Sequence, residues 1–476
     1  MSKVISKIKF GTDGWRALMD TDYTMENLEL VTQAFADLMN EKQKKASKAG
    51  PPKVVIGYDF RENSEVFAKR SAEILTGNGI QTILSAAACP TPAVSYTIVD
   101  EKYDAGIAIT ASHNPARYNG FKIKNEIGSS AEKTITDAVE NLIGKNPVKK
   151  SAFTPQNPVI RDINIKFIQN LKNYLKLDII KNAPYRILVD SMHGVGADNM
   201  EKMLAGGKIS VKTIRGNRDI TFGGVAPEPI AKYLGPSIEL MKTGNFDLGV
   251  VTDGDADRIG AIRPGGEFVS PGIILSLVLL HFVQDLKKVG GVVTTISNTG
   301  LIYRIARKLG VKVFETPVGF KYICEIMRKE NILIGGEESG GIAFQGYMYE
   351  RDGMLSSLLL MQMMAMRSQS FDEILKLVEK EFGRLYYVRN DLNYPNELKP
   401  KLFAHLSANP PKSFQGLKVE RVNAVDGMKF VLEDDNWVLF RLSGTEPILR
   451  VYAEATSQAL AEALVNEGKK LAYSLK

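Results

Sequence analysis

Residues 105–115 read Ala105-Gly106-Ile107-Ala108-Ile109-Thr110-Ala111-Ser112-His113-Asn114-Pro115. The first five residues are small or apolar, which predicts a strand that is buried on both faces. The hydroxyl of Ser112 then stands on a turn at the carboxyl end of that strand, the edge at which open α/β sheets bind their ligands. A serine is a weak nucleophile unless a neighbour activates it. This stretch therefore predicts an α/β sheet, but by itself it is consistent with either a reactive serine or an ordinary turn.

Strands and helices alternate on both sides of this stretch, which predicts βαβ units and largely parallel sheets. In the first segment, Lys53–Tyr58 and Ile80–Leu84 are also predicted strands. The alternation begins again after a proline-rich seam at residues 147–158, and a third time after Gly291. Beyond these three segments, a hairpin at residues 428–442, a strand and a long helix indicate a smaller unit of another type.

We therefore expect an α/β protein with three similar βαβ-rich, mixed-sheet domains and a smaller C-terminal α+β domain, arranged around a central cleft. A chain of 476 residues is too long for one hydrophobic core, which agrees with several domains. The expected bounds of the four domains are 1–150, 151–265, 266–382 and 383–476.

The composition excludes several classes of function. Lys and Arg exceed Asp and Glu by 61 to 54 and form no long basic block, which argues against nucleic-acid binding. The two cysteines, Cys89 and Cys324, have neither metal-site nor disulfide spacing, which favours a reducing cytoplasm. No signal-peptide core is visible in the first residues, and the most apolar run, 273–283, is too short to span a bilayer. We expect a cytoplasmic protein without membrane partners, either a monomer or a homodimer.

A second loop with chemical potential is Asp253-Gly254-Asp255-Ala256-Asp257-Arg258, directly after the apolar strand of residues 247–252. Three carboxylates at alternate positions could converge on one hard cation, and Mg²⁺ fits such a set when phosphate or water completes the shell. An EF-hand is excluded because the sixth position of the loop is Arg258 rather than glycine, and the twelfth is Pro264 rather than glutamate. The remaining alternative is a solvated acidic turn.

Two further loops carry polar groups at predicted strand ends. Residues 335–341, Gly-Gly-Glu-Glu-Ser-Gly-Gly, offer carboxylates and a hydroxyl on a flexible backbone, which suits sugar hydroxyls. Residues 441–447, Arg-Leu-Ser-Gly-Thr-Glu-Pro, together with Arg450 offer guanidinium, hydroxyl and backbone N–H donors that could cradle a phosphate. Each loop could instead be a tight turn with exposed charges.

In this order, the four loops resemble those of the α-D-phosphohexomutase family. The serine loop, the Asp-Gly-Asp-x-Asp-Arg loop, the Gly-Glu-x-Ser loop and the Arg-x-Ser-Gly-Thr loop each occur once, and the resemblance covers nearly the whole chain. It implies an isomerase that transfers a phosphoryl group reversibly through a phosphoserine and a hexose 1,6-bisphosphate. It also implies one Mg²⁺ per chain, with small hexose phosphates as partners.

The resemblance and the charge requirements of phosphoryl transfer assign a role to individual residues. Ser112 would carry the phosphoryl group. The expected metal ligands are Ser112, Asp253, Asp255 and Asp257. The expected catalytic groups around the reacting phosphate are Ser112, His113, Lys122, Arg16 and Arg258. The expected substrate-binding residues are Lys321, Glu337, Ser339, Arg441, Ser443, Gly444, Thr445 and Arg450.

Details of the sugar loop favour glucose as the hexose. Gly341 stands where phosphomannomutase/phosphoglucomutases of dual specificity carry a histidine, and residues 316–321 and 350–353 are similar to glucose-type phosphoglucomutases. Glu338 stands where phosphoglucosamine mutases usually carry glutamine. We expect interconversion of glucose 1-phosphate and glucose 6-phosphate, with glucose 1,6-bisphosphate as intermediate and activator. Mannose phosphates and glucosamine phosphates remain alternatives, as do a phosphatase or nucleotidyl transferase and a non-catalytic sugar-phosphate sensor.

Overall fold

A computed structural model of the chain describes residues 8–442 and 447–474. The first sheet has the strand order β1-β5-β4-β2-β3-β6, in which β4, β2, β3 and β6 run parallel and β1 and β5 are antiparallel to their neighbours. Its elements are β1 (Trp15–Leu18), α1 (Met25–Lys45), β2 (Lys53–Tyr58), α2 (Ser64–Gly77), β3 (Gln81–Ser85), α3 (Thr91–Glu101), β4 (Ala105–Ile109), β5 (Tyr118–Lys124), α4 (Lys133–Leu142) and β6 (Val159–Arg161).

The second domain contains a five-stranded sheet in the order β11-β10-β9-β7-β8. Its strands β9, β7 and β8 are parallel, and the strand after the acidic loop turns back antiparallel to β9. Its elements are α5 (Asn164–Tyr174), α6 (Leu177–Asn182), β7 (Arg186–Asp190), α7 (Asn199–Leu204), β8 (Ser210–Ile214), α8 (Gly235–Thr243), β9 (Leu248–Thr252), β10 (Ile259–Ile262) and β11 (Phe268–Val269).

The third domain has a four-stranded sheet in the order β13-β12-β14-β15. The methionine-rich helix α12 (Gly353–Arg367) is a packed core helix, because Met361, Met363 and Met364 are all buried. The elements are α9 (Pro271–Leu280), β12 (Gly291–Thr295), α10 (Leu301–Leu309), β13 (Val313–Thr316), α11 (Phe320–Lys329), β14 (Ile332–Gly336), β15 (Ile342–Phe344), α12 (Gly353–Arg367) and α13 (Phe371–Phe382).

The fourth domain is a six-stranded antiparallel sheet in the order β16-β21-β20-β19-β18-β17, packed against α15. The predicted hairpin is present and turns at residues 433–436. The elements are β16 (Tyr386–Asn393), α14 (Lys399–Ala408), β17 (Ser413–Phe414), β18 (Leu417–Asn423), β19 (Met428–Leu432), β20 (Trp437–Leu442), β21 (Ile448–Ala455) and α15 (Gln458–Ser474). The expected fold class, three α/β domains followed by a smaller C-terminal domain, is thus confirmed.

The hydrophobic cores follow a different division from the sheets. One large cluster runs through the first three domains, from Val55 to Val378, while the outer layer of the first domain has a second cluster of its own. The fourth domain is built around a separate cluster that extends from Leu392 to Ala472. Burial of apolar surface therefore holds the first three domains together as one body. A small apolar cluster joins the fourth domain to the third, in which Ile296 packs with Trp437, Leu439 and Tyr452.

In the described part of the chain, every helix is either too short or too polar to cross a lipid bilayer.

Candidate active site

Ser112 lies where the sequence places it, directly beyond the carboxyl end of β4. Its backbone has a φ of 52°, a left-handed conformation that is uncommon for serine and turns the side chain away from the strand direction. The backbone N–H of Ser112 donates to Thr110 Oγ1 at 2.9 Å, which fixes the turn. The buried Ser112 hydroxyl donates to Asp253 Oδ2 at 2.7 Å. The serine loop of the first domain and the acidic loop of the second thus form one site.

A buried arginine that no predicted motif includes supports the serine loop. The guanidinium of Arg61 donates to four backbone carbonyls of that loop, at distances of 2.6–3.0 Å. Its Nε also donates to Asp59 Oδ2 at 3.1 Å, and both side chains are almost fully buried. The accepting carbonyls belong to Ser112, Asn114, Pro115 and Tyr118. The available signal is the Asp-x-Arg sequence directly after β2, which is the strand beside β4.

We expect Arg61→Lys to lower both stability and turnover. Lysine keeps the positive charge beside Asp59, but one ammonium group cannot reproduce a planar fork that serves four carbonyls. Losing several of these buried hydrogen bonds should lower the free energy of unfolding by about 2–4 kcal/mol. Urea denaturation measures this change, and Arg117→Lys, at an exposed position of the same loop, is the matched control. Equal stability of the Arg61 variant and the wild type would contradict the supporting role.

The three aspartates of the acidic loop converge as the spacing predicts. One carboxylate oxygen from each of Asp253, Asp255 and Asp257 lies within 4.8 Å of the others, and all three residues are buried. Asp253 Oδ1 accepts the backbone N–H groups of Asp257 and Arg258 at 3.0 and 3.1 Å, which orients its carboxylate. Within the described ranges, the Oδ1 atoms of Asp255 and Asp257 are buried without a hydrogen-bond partner. Such a set of oxygen donors fits a hard divalent cation.

Lys122 lies among these carboxylates, on strand β5. Its Nζ is 2.7 Å from Asp255 Oδ2, 2.9 Å from Asp13 Oδ2 and 3.1 Å from Asp257 Oδ2. Burial disfavours the ammonium, but the three carboxylates outweigh this effect and raise the pKa of Lys122. Burial alone would raise the pKa of Asp255, but the positive charge of Lys122 outweighs burial and lowers the pKa of that carboxyl. Lys122 is therefore held as a cation at the centre of the site.

Arg16 and His113 lie next to Ser112, and Arg258 is the last residue of the acidic loop. Arg16 Nη1 donates to Asn114 Oδ1 at 3.1 Å, so the first loop of the chain contacts the serine loop. The half-buried His113 has no hydrogen-bond partner at Nδ1 among the described residues. Burial, with the nearby charges of Arg258 and Arg16, lowers its pKa well below the ordinary value of 6.5. His113 is therefore a neutral imidazole at physiological pH.

The sugar loop predicted at residues 335–341 packs directly on the acidic loop. Ile259 N–H donates to Gly340 O at 3.0 Å, and Arg258 and Gly341 form a β-bridge. Gly340 has a φ of 99°, and a Cβ there would lie 2.5 Å from Ile259 O, so a glycine is required. The side chain of Glu337 is buried at this junction, and Ser339 is half-buried beside it.

Arg351 is a second buried arginine that the sequence analysis does not assign to the site. Its Nη2 is 2.6 Å from Asp13 Oδ2 and 2.7 Å from Asp257 Oδ2, and its Nη1 is 3.4 Å from Glu337 Oε2. One guanidinium thus joins carboxylates from the first three domains. A Cβ at Gly341 would lie 2.1 Å from Arg351 Cδ, so this arginine fills the space that a side chain at position 341 would need.

The acidity of Glu337 leads to a prediction on stability. Burial raises its pKa from 4.5 to about 6, against the opposing charge of Arg351. Because the folded-state pKa lies above the ordinary value, ionisation of Glu337 costs folding free energy. This carboxyl should lower the free energy of unfolding by about 2 kcal/mol as the pH rises from 4.5 through about 6.

Glu337→Gln should remove that contribution. Urea denaturation of both proteins across this pH interval provides the test, and the difference between their pH profiles isolates residue 337. Glu325→Gln, at an exposed position of α11, is the control. Parallel profiles for the wild type and Glu337→Gln would contradict the prediction.

The remaining predicted substrate-binding residues lie in the fourth domain, except Lys321, which lies in the third. Arg441 and Arg450 are direct partners in the β20–β21 register, so the two predicted phosphate-binding arginines lie side by side. The predicted Ser443, Gly444 and Thr445 lie outside the described residues. Lys321 lines a cavity of about 580 Å³ between the first and third domains, with its Nζ 5.0 Å from the centre of the Tyr322 ring.

Comparison with known proteins agrees with this architecture. The sequence profiles for the α/β/α domains I, II and III and the C-terminal domain of phosphoglucomutase/phosphomannomutase match residues 7–149, 165–266, 271–381 and 407–470. A phosphoglucosamine/phosphogalactosamine mutase from Sulfurisphaera tokodaii is 30% identical over 467 residues, 97% of this chain and 98% of the relative. A phosphoglucomutase/phosphomannomutase from Thermococcus kodakarensis is 29% identical over 97% of this chain and 98% of its own.

A crystal structure of a phosphomannomutase-type protein from Thermus thermophilus superimposes with a TM-score of 0.85 at 32% identity. The match covers 98% of this chain and 99% of that protein.

Proposed function

The chain belongs to the phosphoglucomutase/phosphomannomutase family and is a phosphohexomutase, an isomerase; from this premise we propose that it interconverts α-D-glucose 1-phosphate and glucose 6-phosphate. The proposed cycle passes through a phosphorylated Ser112 and a glucose 1,6-bisphosphate. The observation that carries the proposal is the 2.7 Å contact between the Ser112 hydroxyl and Asp253, inside a cluster of three carboxylates and several fixed cations.

A divalent cation, Mg²⁺ by family resemblance, fits this cluster. Asp253, Asp255 and Asp257 would hold it together with an oxygen on Ser112, and when bound it would neutralise charge on the transferring phosphoryl group. The fit rests on the convergence of three buried carboxylates and on the two oxygens that lack a hydrogen-bond partner in the described part of the chain.

The side chains of the chain itself provide the remaining parts of the reaction. As the P–Oγ bond of phosphoserine breaks, a P–O bond to the free sugar hydroxyl forms, and the proton of that hydroxyl ends on Ser112 Oγ. The neutral imidazole of His113 suits the acceptance of this proton, whereas Lys122, held as a cation, suits charge stabilisation. Arg16 and Arg258 add positive charge on either side of the serine.

The sugar must bind in two orientations, because either of its phosphates is transferred in turn. Glu337 and Ser339 would bind sugar hydroxyls, and Lys321 would approach from the cavity side. Arg441 and Arg450, with Ser443, Gly444 and Thr445, would hold the phosphate that is not reacting. Movement of the fourth domain, which has its own core, would open and close the cleft and exclude water.

The preference for glucose is supported by the pair formed by Gly341 and Arg351. The arginine occupies the space of a side chain at position 341, where enzymes of dual specificity carry histidine, and brings its own charge to Glu337. The presence of Gly341 and Arg351 in place of that histidine favours a sugar site of the glucose type.

Glucosamine phosphate is the second candidate, because relatives of 30% identity are named phosphoglucosamine mutases, although Glu338 is a half-buried carboxylate beside Glu337. Glu338 Oε2 accepts a hydrogen bond from Thr295 Oγ1 at 2.9 Å, which fixes it at the end of β14. This carboxylate stands where phosphoglucosamine mutases usually carry glutamine, which places glucosamine phosphate second to glucose. The 30% identity to a phosphoglucosamine/phosphogalactosamine mutase agrees with this alternative.

A substrate panel tests the proposal. Glucose, mannose and glucosamine 1-phosphates are each supplied with Mg²⁺ and a trace of the matching 1,6-bisphosphate, and formation of the 6-phosphate is followed. The expected result is the highest kcat/KM with glucose 1-phosphate. A higher value with glucosamine or mannose phosphate would reject the glucose assignment, and release of inorganic phosphate without isomerisation would indicate a phosphatase instead.

A further inference from the structure

One carboxylate oxygen of Asp426 contacts both the fourth and the third domain beside the proposed phosphate site. Asp426 lies in the turn between β18 and β19, and its Oδ2 accepts a hydrogen bond from Arg441 Nε at 2.7 Å. The same oxygen accepts the backbone N–H of Val318, in the third domain, at 3.0 Å. One atom therefore contacts both a candidate phosphate-binding arginine and the loop that precedes Lys321.

The local backbone forces this arrangement. Gly427, next to Asp426, has a φ of 96°, and a Cβ there would lie 2.1 Å from Phe440 O. The turn thus lies against strand β20 immediately before Arg441, which brings Asp426 close to the guanidinium. Replacement of Gly427 by any L-residue would push the turn and Asp426 away from the arginine.

On the third-domain side, the loop that contains Val318 also reaches the first domain. Val318 is followed by Gly319, whose φ is 137° and whose Cβ, if present, would lie 3.1 Å from Thr12 Cγ2 of the first domain. The loop then enters α11, in which Lys321 is the second residue. Asp426 is therefore positioned to transmit the orientation of the phosphate site to the loop that leads to a proposed sugar contact.

We propose that Asp426 is a positioning residue, which orients Arg441 for phosphate binding and ties that orientation to the docking of the fourth domain on the Val318 loop. The ligand it serves is the non-reacting phosphate of the proposed function, so the proposal rests on that function for the identity of the ligand. A carboxylate at Nε fixes the plane of a guanidinium, whose two NH₂ groups are suited to paired phosphate oxygens. Ordering the side chain in advance also reduces the entropic cost of binding.

Asp435 provides a matched control in the same interface. It lies 3.3 Å from Arg304 Nε and 3.1 Å from Arg307 Nη2, so it too joins the fourth domain to the third. It belongs to the other end of the β19–β20 hairpin from Arg441. A variant at Asp435 weakens domain docking in general, whereas a variant at Asp426 should affect phosphate binding specifically.

The test uses the full-length protein and compares Asp426→Ala, Asp426→Asn and Asp435→Asn. We expect Asp426→Ala to raise the Kd for inorganic phosphate, measured by calorimetry, and the KM for the hexose 1-phosphate by roughly tenfold, with kcat within about twofold of the wild type. Asparagine keeps an oxygen that can accept both hydrogen bonds, so Asp426→Asn should restore most of the affinity. Asp435→Asn should leave both constants unchanged.

A double-mutant cycle completes the experiment. If Asp426 acts through Arg441, phosphate binding by Asp426→Ala/Arg441→Ala should be no weaker than by Arg441→Ala. Additive losses, an unchanged Kd in Asp426→Ala, or an equal loss in Asp435→Asn would overturn the proposal. If the wild type isomerises no hexose phosphate, the proposed function fails, while the phosphate Kd values still decide the role of Asp426.

Discussion

Replacing Ser112 by alanine should reduce kcat for the hexose phosphate by at least ~10⁴-fold, the scale on which enzymes lose activity with their nucleophile. Without the hydroxyl, no phosphoserine can form, and the fixed cations around it have no enzyme-bound phosphoryl group to stabilise. The remaining residues would still bind substrate, so KM should change much less than kcat. A coupled assay for the 6-phosphate measures both constants.

The backbone at Ser112 requires a second variant as control. Serine and alanine both carry a Cβ, so Ser112→Ala keeps the left-handed strain of the wild type, roughly 1–2 kcal/mol, and removes only the hydroxyl. Ser112→Gly removes the hydroxyl without that strain and should be equally inactive. Both variants should retain a cooperative thermal transition. Turnover close to that of the wild type in either variant would refute the phosphoserine mechanism.

Replacing Asp255 by alanine should lower kcat/KM by about 10³-fold and remove the response to Mg²⁺, since a metal in such a site contributes several kcal/mol of charge stabilisation. Asp255 is one of three carboxylates that fit the cation, and its Oδ2 also accepts hydrogen bonds from Thr91 Oγ1 and Lys122 Nζ. Its loss would remove a proposed metal ligand and a hydrogen-bond partner of Lys122 at the same time. Activity as a function of Mg²⁺ concentration measures the effect.

Two comparisons separate these contributions. Thr91→Val removes one partner of Asp255 without touching the carboxylate, so it should retain a normal Mg²⁺ response. Asp137→Ala, in an exposed ion pair with Lys133, controls for loss of a surface charge and should behave as the wild type. Undiminished Mg²⁺-dependent turnover in Asp255→Ala would show that the cation binds elsewhere.

The parts of the fold that the sequence predicts are those in which local pattern and burial agree. The apolar runs at 105–109 and 248–252 form buried strands, and each is followed by a loop that carries candidate site residues. Thr24, a residue type that favours helix N-termini, caps α1, with its hydroxyl oxygen accepting from Asn27 N–H at 3.3 Å. The predicted hairpin and the strand after it are also present, and in the structure the second hairpin strand pairs with that strand so that Arg441 lies opposite Arg450.

What the sequence does not predict depends on charges that are buried because of distant partners. Strand β5 is not predicted, because its lysines, Lys122 and Lys124, are fully buried, although a periodicity rule would place them in solvent. Lys122 pairs with carboxylates of the first and second domains, and Lys124 pairs with Glu350 of the third domain. The sequence fails to indicate Arg61 and Arg351 for the same reason. The four carbonyls around Arg61 and the carboxylates around Arg351 come together only in the folded chain.

The division of the hydrophobic cores has a consequence for how the protein is made. The cluster that unites the first three domains includes side chains from Val55 to Val378, so it cannot be completed until most of the chain has left the ribosome. At ordinary rates of translation, its early strands wait for their partners for on the order of tens of seconds. The fourth domain draws its core from the last part of the chain and can form afterwards without disturbing the first three. Nascent chains of this protein should therefore depend on chaperones mainly before the fourth domain is synthesised.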